Sequence, residues 1–193
     1  MKNVQLLEDL TSYRKEFKNK DAEQVQSLLN DFDFLEKGNF TYGSTPYDTS
    51  EFLIKSINKK PKRFVVVGTS IGWMNFYWNE IYPDIKTLGF DLHPGRIEYG
   101  NSLIEKYNLS NIELKVADFY DFEFSDDDVI WMSNLCFDYA AVQLMLKNII
   151  TKYPKCAIIS YRPIMIERQH VKKYYLPVSW MDKQPFFTYE KTN

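Results

Sequence analysis

Only two cysteines and two histidines occur in this chain of 193 residues. Cys136 and Cys156 sit in apolar runs, so they read as buried thiols rather than a disulfide framework. His93 and His170 lie far apart and no paired-cysteine motif accompanies them, so no metal site is expected. An excess of one charge is lacking too. The net charge is −2, and the basic runs Lys59–Arg63 and Lys172–Lys173 are short. Nothing in that balance recruits a polyanion, so strong nucleic-acid binding is not expected. No apolar stretch is long enough to span a bilayer. The segment MKNVQLLEDLTSYRKEF is too charged for a signal peptide. The expectation is a reduced, soluble, intracellular protein, cytoplasmic or nuclear, without a membrane partner. Internal repeats and low-complexity segments are also missing, and the length suits one domain.

What is present centres on Lys62–Asp91. Phe64–Val67 is a short β-branched apolar run bounded by charge and glycine, the pattern of a fully buried strand. Gly68-Thr69-Ser70-Ile71-Gly72 follows as a tight turn. A helix with an aromatic face then runs from Trp73 to Ile81 and stops at Pro83. A second strand, Thr87–Phe90, ends on Asp91. Strand, glycine turn, helix, strand and acid form half of a nucleotide-binding doubly wound sheet. Asp91 stands 23 positions after Gly68, where such acids hold a ribose diol about 20 positions on. The competing reading makes Asp91 the cap of a helix opening at Pro94.

The flanking segments extend the pattern. Val4–Phe17 and Asp21–Leu35 have helical periodicity, with Asp21 as the cap of the second. Their place is over the site, presenting substrate to it, or against the sheet edge. Gly38–Asp48 is a loop by composition, and a helix from Thr49 to Ile57 turns Phe52, Leu53 and Ile57 inward. Beyond Asp91, a helix from Pro94 to Tyr107 precedes a strand at Ile112–Val116, which delivers Ala117-Asp118-Phe119. Val129–Met132 leads to Asn134, and Asp138 caps an apolar helix to Tyr153. Cys156–Ser160 leads to Tyr161. This alternation gives a parallel sheet. Gly68–Gly72, Asp91, Asp118, Asn134 and Tyr161 then gather at the carboxyl ends of successive strands, where such sheets bind ligands. After Pro163, Tyr174–Trp180 and Phe186–Tyr189 read as an antiparallel hairpin around Met181-Asp182-Lys183-Gln184-Pro185.

Four segments carry a resemblance. Tyr42-Gly43-Ser44-Thr45-Pro46-Tyr47-Asp48 is similar to a Y-G-E-T-S-F-D loop, and Ser133-Asn134-Leu135-Cys136-Phe137 to N-N-F-A-F. Ser160-Tyr161-Arg162-Pro163-Ile164 is similar to S-S-K-P-F. Val178-Ser179-Trp180-Met181-Asp182-Lys183-Gln184-Pro185 is similar to V-S-W-T-G-K-P with one extra residue. In this order they resemble the S-adenosylmethionine-dependent class I methyltransferases. Within that class they look most like the non-SET histone lysine methyltransferases of the disruptor-of-telomeric-silencing (Dot-one) family. The resemblance runs from Tyr42 to Tyr189. Its first motif, V-D-L-G-S-G-x-G, is altered here: Val66 stands for the acid and Ser70 for a glycine. Ser44 replaces the acid of the loop, and the family's long basic segment is absent.

The resemblance implies an α/β fold, a Rossmann-like seven-strand sheet, mostly parallel with a C-terminal antiparallel hairpin. It implies one domain, with residues 1–40 a helical extension and 41–193 the cofactor core and hairpin. The implied cofactor is S-adenosyl-L-methionine, and the implied partner a methyl-acceptor substrate, a protein lysine. Tyr42 and Thr45 would touch the methionine end, with Gly68, Ser70 and Gly72 beneath it. Asp91 would take the ribose, and Asp118 the adenine amino group, with Leu92 or Phe119 on the ring. Asn134 and Phe137 would floor the transfer site. Tyr161, Trp180, Phe186, Phe187 and Tyr189 would wall a lysine channel, or else pack as hairpin core. Two alternatives stay open: an acceptor that is a small molecule or another polymer, and a non-catalytic binding module that keeps the fold.

Overall fold

Every inward position of the first strand is apolar, and the strand is buried on both faces. In the computed structural model, which describes residues 3–31, 43–165 and 170–190, that strand is β1, Arg63–Val67. Val65 and Val67 face one core, with Ile130, Met132 and Ile158. Phe64 and Val66 face the other, with Trp131 and Ile159. Two-sided burial is what a parallel sheet covered by helices demands.

The remaining strands are β2 (Lys86–Asp91), β3 (Ile112–Val116), β4 (Asp128–Met132), β5 (Ala157–Ser160), β6 (His170–Val178) and β7 (Met181–Glu190). They form one sheet in the order β3-β2-β1-β4-β5-β7-β6. β1 pairs in parallel with β2 and β4, and β3 and β5 extend the parallel set. β7 is antiparallel to β5 and to β6. The chain leaves β1 toward β3 and returns to β4 on the other side, so a topological switch point lies between β1 and β4. This is the expected α/β arrangement, terminal hairpin included. The hairpin turn is shorter than its sequence suggests. Ser179 and Trp180 alone form it, while Met181–Pro185 belongs to β7. The ladder is irregular between Leu176 and Val178, where Pro177 has no N–H to donate.

Helices α1 (Val4–Glu16), α2 (Lys18–Asp31), α3 (Tyr47–Lys55), α4 (Trp73–Ile81), α5 (Pro94–Lys106) and α6 (Tyr139–Lys152) complete the described residues. None of these is long and apolar enough to cross a membrane. Helix α6 buries Val142, Met145, Leu146 and Ile149, the spacing of one helical face. Helix α4 buries Trp73, Phe76, Tyr77 and Trp78, and the Trp78 ring lies 4.3 Å from Phe64. At the amino ends of β1 and β4, Arg63 donates from Nε and Nη2 to fully buried Asp128, each at 2.8 Å.

Two sequence expectations are corrected, and the place of α1 and α2 is given. Helix α2 begins at Lys18, so Asp21 lies in its first turn rather than at its cap; positions 32–35 fall outside the described residues. Phe52 is 47% exposed, edge-on to Tyr174, and Ile54 takes the inward place. Helices α1 and α2 pack on α5. Asp9 accepts from the Tyr107 hydroxyl at 2.7 Å, and Tyr13 and Phe17 pack against the Tyr99 ring.

Candidate active site

Where β1 ends, the chain turns through Gly68, with φ +72. The N–H groups of Gly68 and Thr69 both donate to the Phe90 carbonyl at the end of β2, at 3.0 and 3.1 Å. A β-carbon on Gly68 would come within 3.0 Å of the Phe137 ring. Glycine therefore serves twice here, giving a left-handed turn and a close approach of ring to backbone.

Asp91 closes β2 and ties the loop to the next helix. One carboxylate oxygen accepts from Ser70 N at 2.8 Å and the other from His93 N at 3.0 Å. Asp91 is not the cap of α5. His93 is, with Nδ1 accepting from Arg96 N at 3.3 Å and Pro94 in the first turn. A half-buried carboxylate at this strand end is thus positioned by backbone and retains lone pairs for a ligand.

Asp118 follows β3 and accepts from Tyr120 N at 3.0 Å, capping a short turn at Phe119–Asp121. Phe119 stacks on Phe137 with ring centroids 5.8 Å apart. Beyond β4, fully buried Asn134 reaches across to β5. Its Oδ1 accepts from Tyr161 N at 3.0 Å and Arg162 N at 3.3 Å. Arg162 in turn donates to the carbonyls of Leu135 and Phe137, holding that loop in place. The Tyr161 hydroxyl lies 2.5 Å from Thr45 Oγ1, and burial pushes its pKa up to about 12. The loop carrying Thr45 is fastened to the hairpin turn by two bonds, Ser44 N to Ser179 Oγ and Ser179 N to Ser44 O, each 3.0 Å.

These strand ends enclose a cavity of about 380 Å³. Of the residues singled out from sequence, Gly68, Ser70, Asp91, Leu92, Asp118, Phe119, Phe137, Tyr161 and Trp180 line it. Thr45, Gly72 and Asn134 stand behind its wall. Thr45 and Asn134 bear on it through Tyr161. Gly72, with φ +93, is a packing glycine: a β-carbon there would meet Leu114 at 2.8 Å. Phe186 and Tyr189 are buried in the core and Phe187 lies half-buried beside it, so the expected aromatic channel reduces to Tyr161 and Trp180. Tyr42 lies outside the described residues.

Arg96 and Tyr120 were missed. Arg96 lines the cavity, is only 4% exposed, and donates to both oxygens of Asp21 at 2.8 Å. A cation in the first turn of a helix opposes the helix dipole, and that anomaly was readable in the sequence. Tyr120 is 57% exposed at the mouth. Partial burial raises its pKa, and the nearby charges of Asp118 and Asp138 raise it further.

No protein-family model and no curated protein matches the chain. Solved structures do. The chain is similar to an RNA methyltransferase from Salinibacter ruber in complex with S-adenosyl-L-homocysteine. The TM-score is 0.59 at 9% identity, over 77% of this chain and 94% of that one. It is similar to TrmK of M. capricolum in complex with S-adenosyl-homocysteine, with TM-score 0.54 and 14% identity over 72% of this chain and 65% of that one. It also matches PKMT2 from Rickettsia typhi in complex with AdoHcy at 22% identity, over 54% of this chain. There the TM-score is 0.47, too low to carry an argument, and the chain spans only 22% of that protein's length. The fold is that of the class I methyltransferases.

Proposed function

We propose that this chain is an S-adenosylmethionine-dependent methyltransferase whose acceptor is a protein lysine. The observation that carries the reading is one cavity with two unlike kinds of lining. The Asp91 carboxylate, held by two backbone N–H groups, offers an acceptor for a diol. Leu92, Phe119 and Phe137 line the same cavity and offer apolar surface to a planar base. The volume, about 380 Å³, falls in the range of small-molecule sites. Two buried polar atoms near the site, Ser70 Oγ and Asn134 Nδ2, have no hydrogen-bond partner among the described residues. The adenosine end of the cofactor fits these residues.

Bound there, the cofactor would supply a sulfonium methyl group, the electrophile of an in-line transfer. The protein's part is alignment and exclusion of water. Asp91 would accept from the ribose hydroxyls and Asp118 from the adenine edge, with Phe119 and Phe137 packing on the ring. Asn134 sets the backbone of Tyr161, and Thr45 sets its hydroxyl. Tyr161 and Trp180 then form one wall of the acceptor path. A phenol with a pKa of about 12 stays protonated and is no general base. The acceptor amine has to lose its proton by other means, and an apolar wall favours its neutral form. The same rings suit an aliphatic stem and a methylated cation.

One observation favours a second reading, a ligand-binding module without turnover. Val66, at the position of the acid in the first motif, is 1% exposed and sits between Gly89 and Trp131. No carboxylate reaches the methionine end from there. Calorimetric titration with S-adenosylmethionine and S-adenosylhomocysteine tests the site. A labelled-methyl screen on proteins, RNA and small amines tests the acceptor. No binding of either nucleoside overturns the proposal, and binding with no transfer to any acceptor favours the module. Transfer to RNA or a small amine in preference to protein removes the lysine assignment.

A further inference from the structure

Ser44 and Ser179 exchange bonds from distant parts of the chain, just outside the cavity lining. Ser179 N donates to Ser44 O, and Ser44 N donates to Ser179 Oγ, each at 3.0 Å. Their neighbours Gly43 and Trp180 do line the cavity. The Trp180 ring lies so close to Gly43 that a β-carbon there would come within 2.5 Å of two ring atoms. The Tyr161 ring is 6.0 Å from that of Trp180, centroid to centroid, and Trp180 Nε1 donates to Gln184 Oε1 at 3.4 Å. We propose that Ser179 is a positioning residue for the acceptor wall: by holding Ser44 it keeps Gly43 against the Trp180 ring, and so fixes the indole beside Tyr161. The inference rests on the reading of Tyr161 and Trp180 as the wall of the acceptor path.

Trp180 sits in the two-residue hairpin turn and is 43% exposed, while Trp73, Trp78 and Trp131 are 8% exposed or less. A half-open indole on a turn changes rotamer readily unless its contacts offset the freedom it loses. Gly43 supplies one such contact, and only glycine leaves room for the ring at that distance. The loop that carries Gly43 has to be placed in turn. Thr45 is anchored on the Tyr161 hydroxyl, and Thr49 Oγ1 donates to the Pro177 carbonyl at 2.9 Å. The serine exchange acts closest to the indole, because each serine directly adjoins one member of the Gly43–Trp180 contact. Half of that exchange needs a side-chain oxygen. Alanine at 179 keeps the N–H bond but offers Ser44 N no acceptor. Ser179 is exposed, so losing its hydroxyl costs the fold little while it frees the ring. Asp91, Asp118 and Phe119 follow β2 and β3, on the other side of β1 from β5 and the hairpin, and should not feel the change.

Acrylamide quenching of tryptophan fluorescence in the full, unliganded chain reads Trp180, since the other three indoles are buried. Ser179→Ala should raise the quenching constant about 1.5-fold or more by releasing the loop, and Gly43→Ala should do so by displacing the ring. Ser179→Thr, which keeps the oxygen, should quench as the wild type does. In a labelled-methyl assay on free histones, Ser179→Ala should raise the histone KM about fivefold or more. Its calorimetric affinity for S-adenosylhomocysteine should stay within about threefold of the wild type, and its melting temperature within about 2 °C. Wild-type quenching in Ser179→Ala overturns the inference, and so does raised quenching with an unchanged histone KM. A loss of S-adenosylhomocysteine affinity equal to the rise in KM, with a lowered melting temperature, marks a merely structural serine and overturns it as well. If the wild type does not methylate free histones, the lysine reading has failed on its own account. Quenching then decides alone: a rise in Ser179→Ala and Gly43→Ala but not in Ser179→Thr supports the positioning of the indole, and any other pattern overturns it.

Discussion

Thr45 and Tyr161 meet hydroxyl to hydroxyl at 2.5 Å, although 116 positions separate them in the chain. The bond joins the loop before α3 to the end of β5, and both partners are buried, Thr45 at 2% and Tyr161 at 7% exposure. It is the point at which the loop before the nucleotide half closes against the cavity wall.

Thr45→Val should therefore destabilise the protein by ~1–3 kcal/mol, the cost of a buried polar group left short of a partner. Tyr161→Ala should cost at least as much and should lower methyl transfer at least tenfold, since it removes the wall as well as the bond. Thermal melts and a single-turnover assay measure the two effects. Thr45→Val melting as the wild type does would show that the short contact contributes nothing to stability.

Asp91→Ala should weaken S-adenosylhomocysteine ten- to a hundredfold, because a charge-assisted bond is worth ~1.5–3 kcal/mol. It should also lower stability modestly, because Ser70 N and His93 N lose their acceptor. Asp91→Asn should retain more stability than Asp91→Ala while still losing affinity. Calorimetry paired with melting separates the two losses, and unchanged affinity in both variants would take Asp91 out of the site.

The parallel core was legible because burial on both faces leaves an unmistakable mark. Phe64–Val67, Val129–Met132 and Cys156–Ser160 have no polar face, and Gly68, Pro83 and Pro94 punctuate them. The strand-end residues followed from topology. The rest depended on contacts that no local pattern encodes. Phe186 and Tyr189 look like channel aromatics until the β5–β7 pairing turns them into the core. Asp21 looks like a helix cap until Arg96, 75 positions away, claims it. Gly72 looks like part of a cofactor loop, yet it is Leu114 on a neighbouring strand that requires its missing β-carbon.

His93 makes stability depend on pH in a window of its own. Burial lowers its pKa, as does the charge of Arg96, against the opposing pull of Asp21 and Asp91. It therefore stays neutral to lower pH in the fold than in the unfolded chain. In the unfolded chain it titrates near the ordinary value of about 6.5. Its contribution is complete above that pH and is eroded as pH falls below it, since the unfolded state then binds the extra proton. Asp21 acts lower. Burial tends to raise its pKa, but the bonds and charge of Arg96 bring it below the usual carboxylate value, so its contribution is lost only in stronger acid. Melting temperatures should fall between pH 7 and pH 5, and His93→Gln should flatten that slope. A wild-type profile flat across this interval would count against a buried neutral imidazole.

Nucleic acid should be a poor partner, although similar folds occur in RNA methyltransferases. Binding a polyanion needs clustered Lys and Arg near the site, and affinity tracks the number of phosphates neutralised. The described residues at this cavity give the opposite balance. Asp118 and Asp138 flank exposed Tyr120 at the mouth, and their charges are felt at its phenol. The cations nearby are committed, Arg96 to Asp21 and Arg162 to the carbonyls of Leu135 and Phe137. An acidic rim repels a phosphate backbone. The expected outcome is weak, strongly salt-sensitive binding of duplex DNA and of transfer RNA in gel shifts at near-physiological salt. If the proposed lysine acceptor holds, free histones should be methylated better than intact nucleosomes, because the site lacks the clustered cations that would hold DNA. Reversing one rim charge with Asp138→Lys should raise nucleic-acid affinity. Tight RNA binding by the wild type at that salt, or a clear preference for nucleosomes over free histones, would sink this reading. Either result would mean that the folded surface gathers a basic patch elsewhere, from residues scattered along the chain.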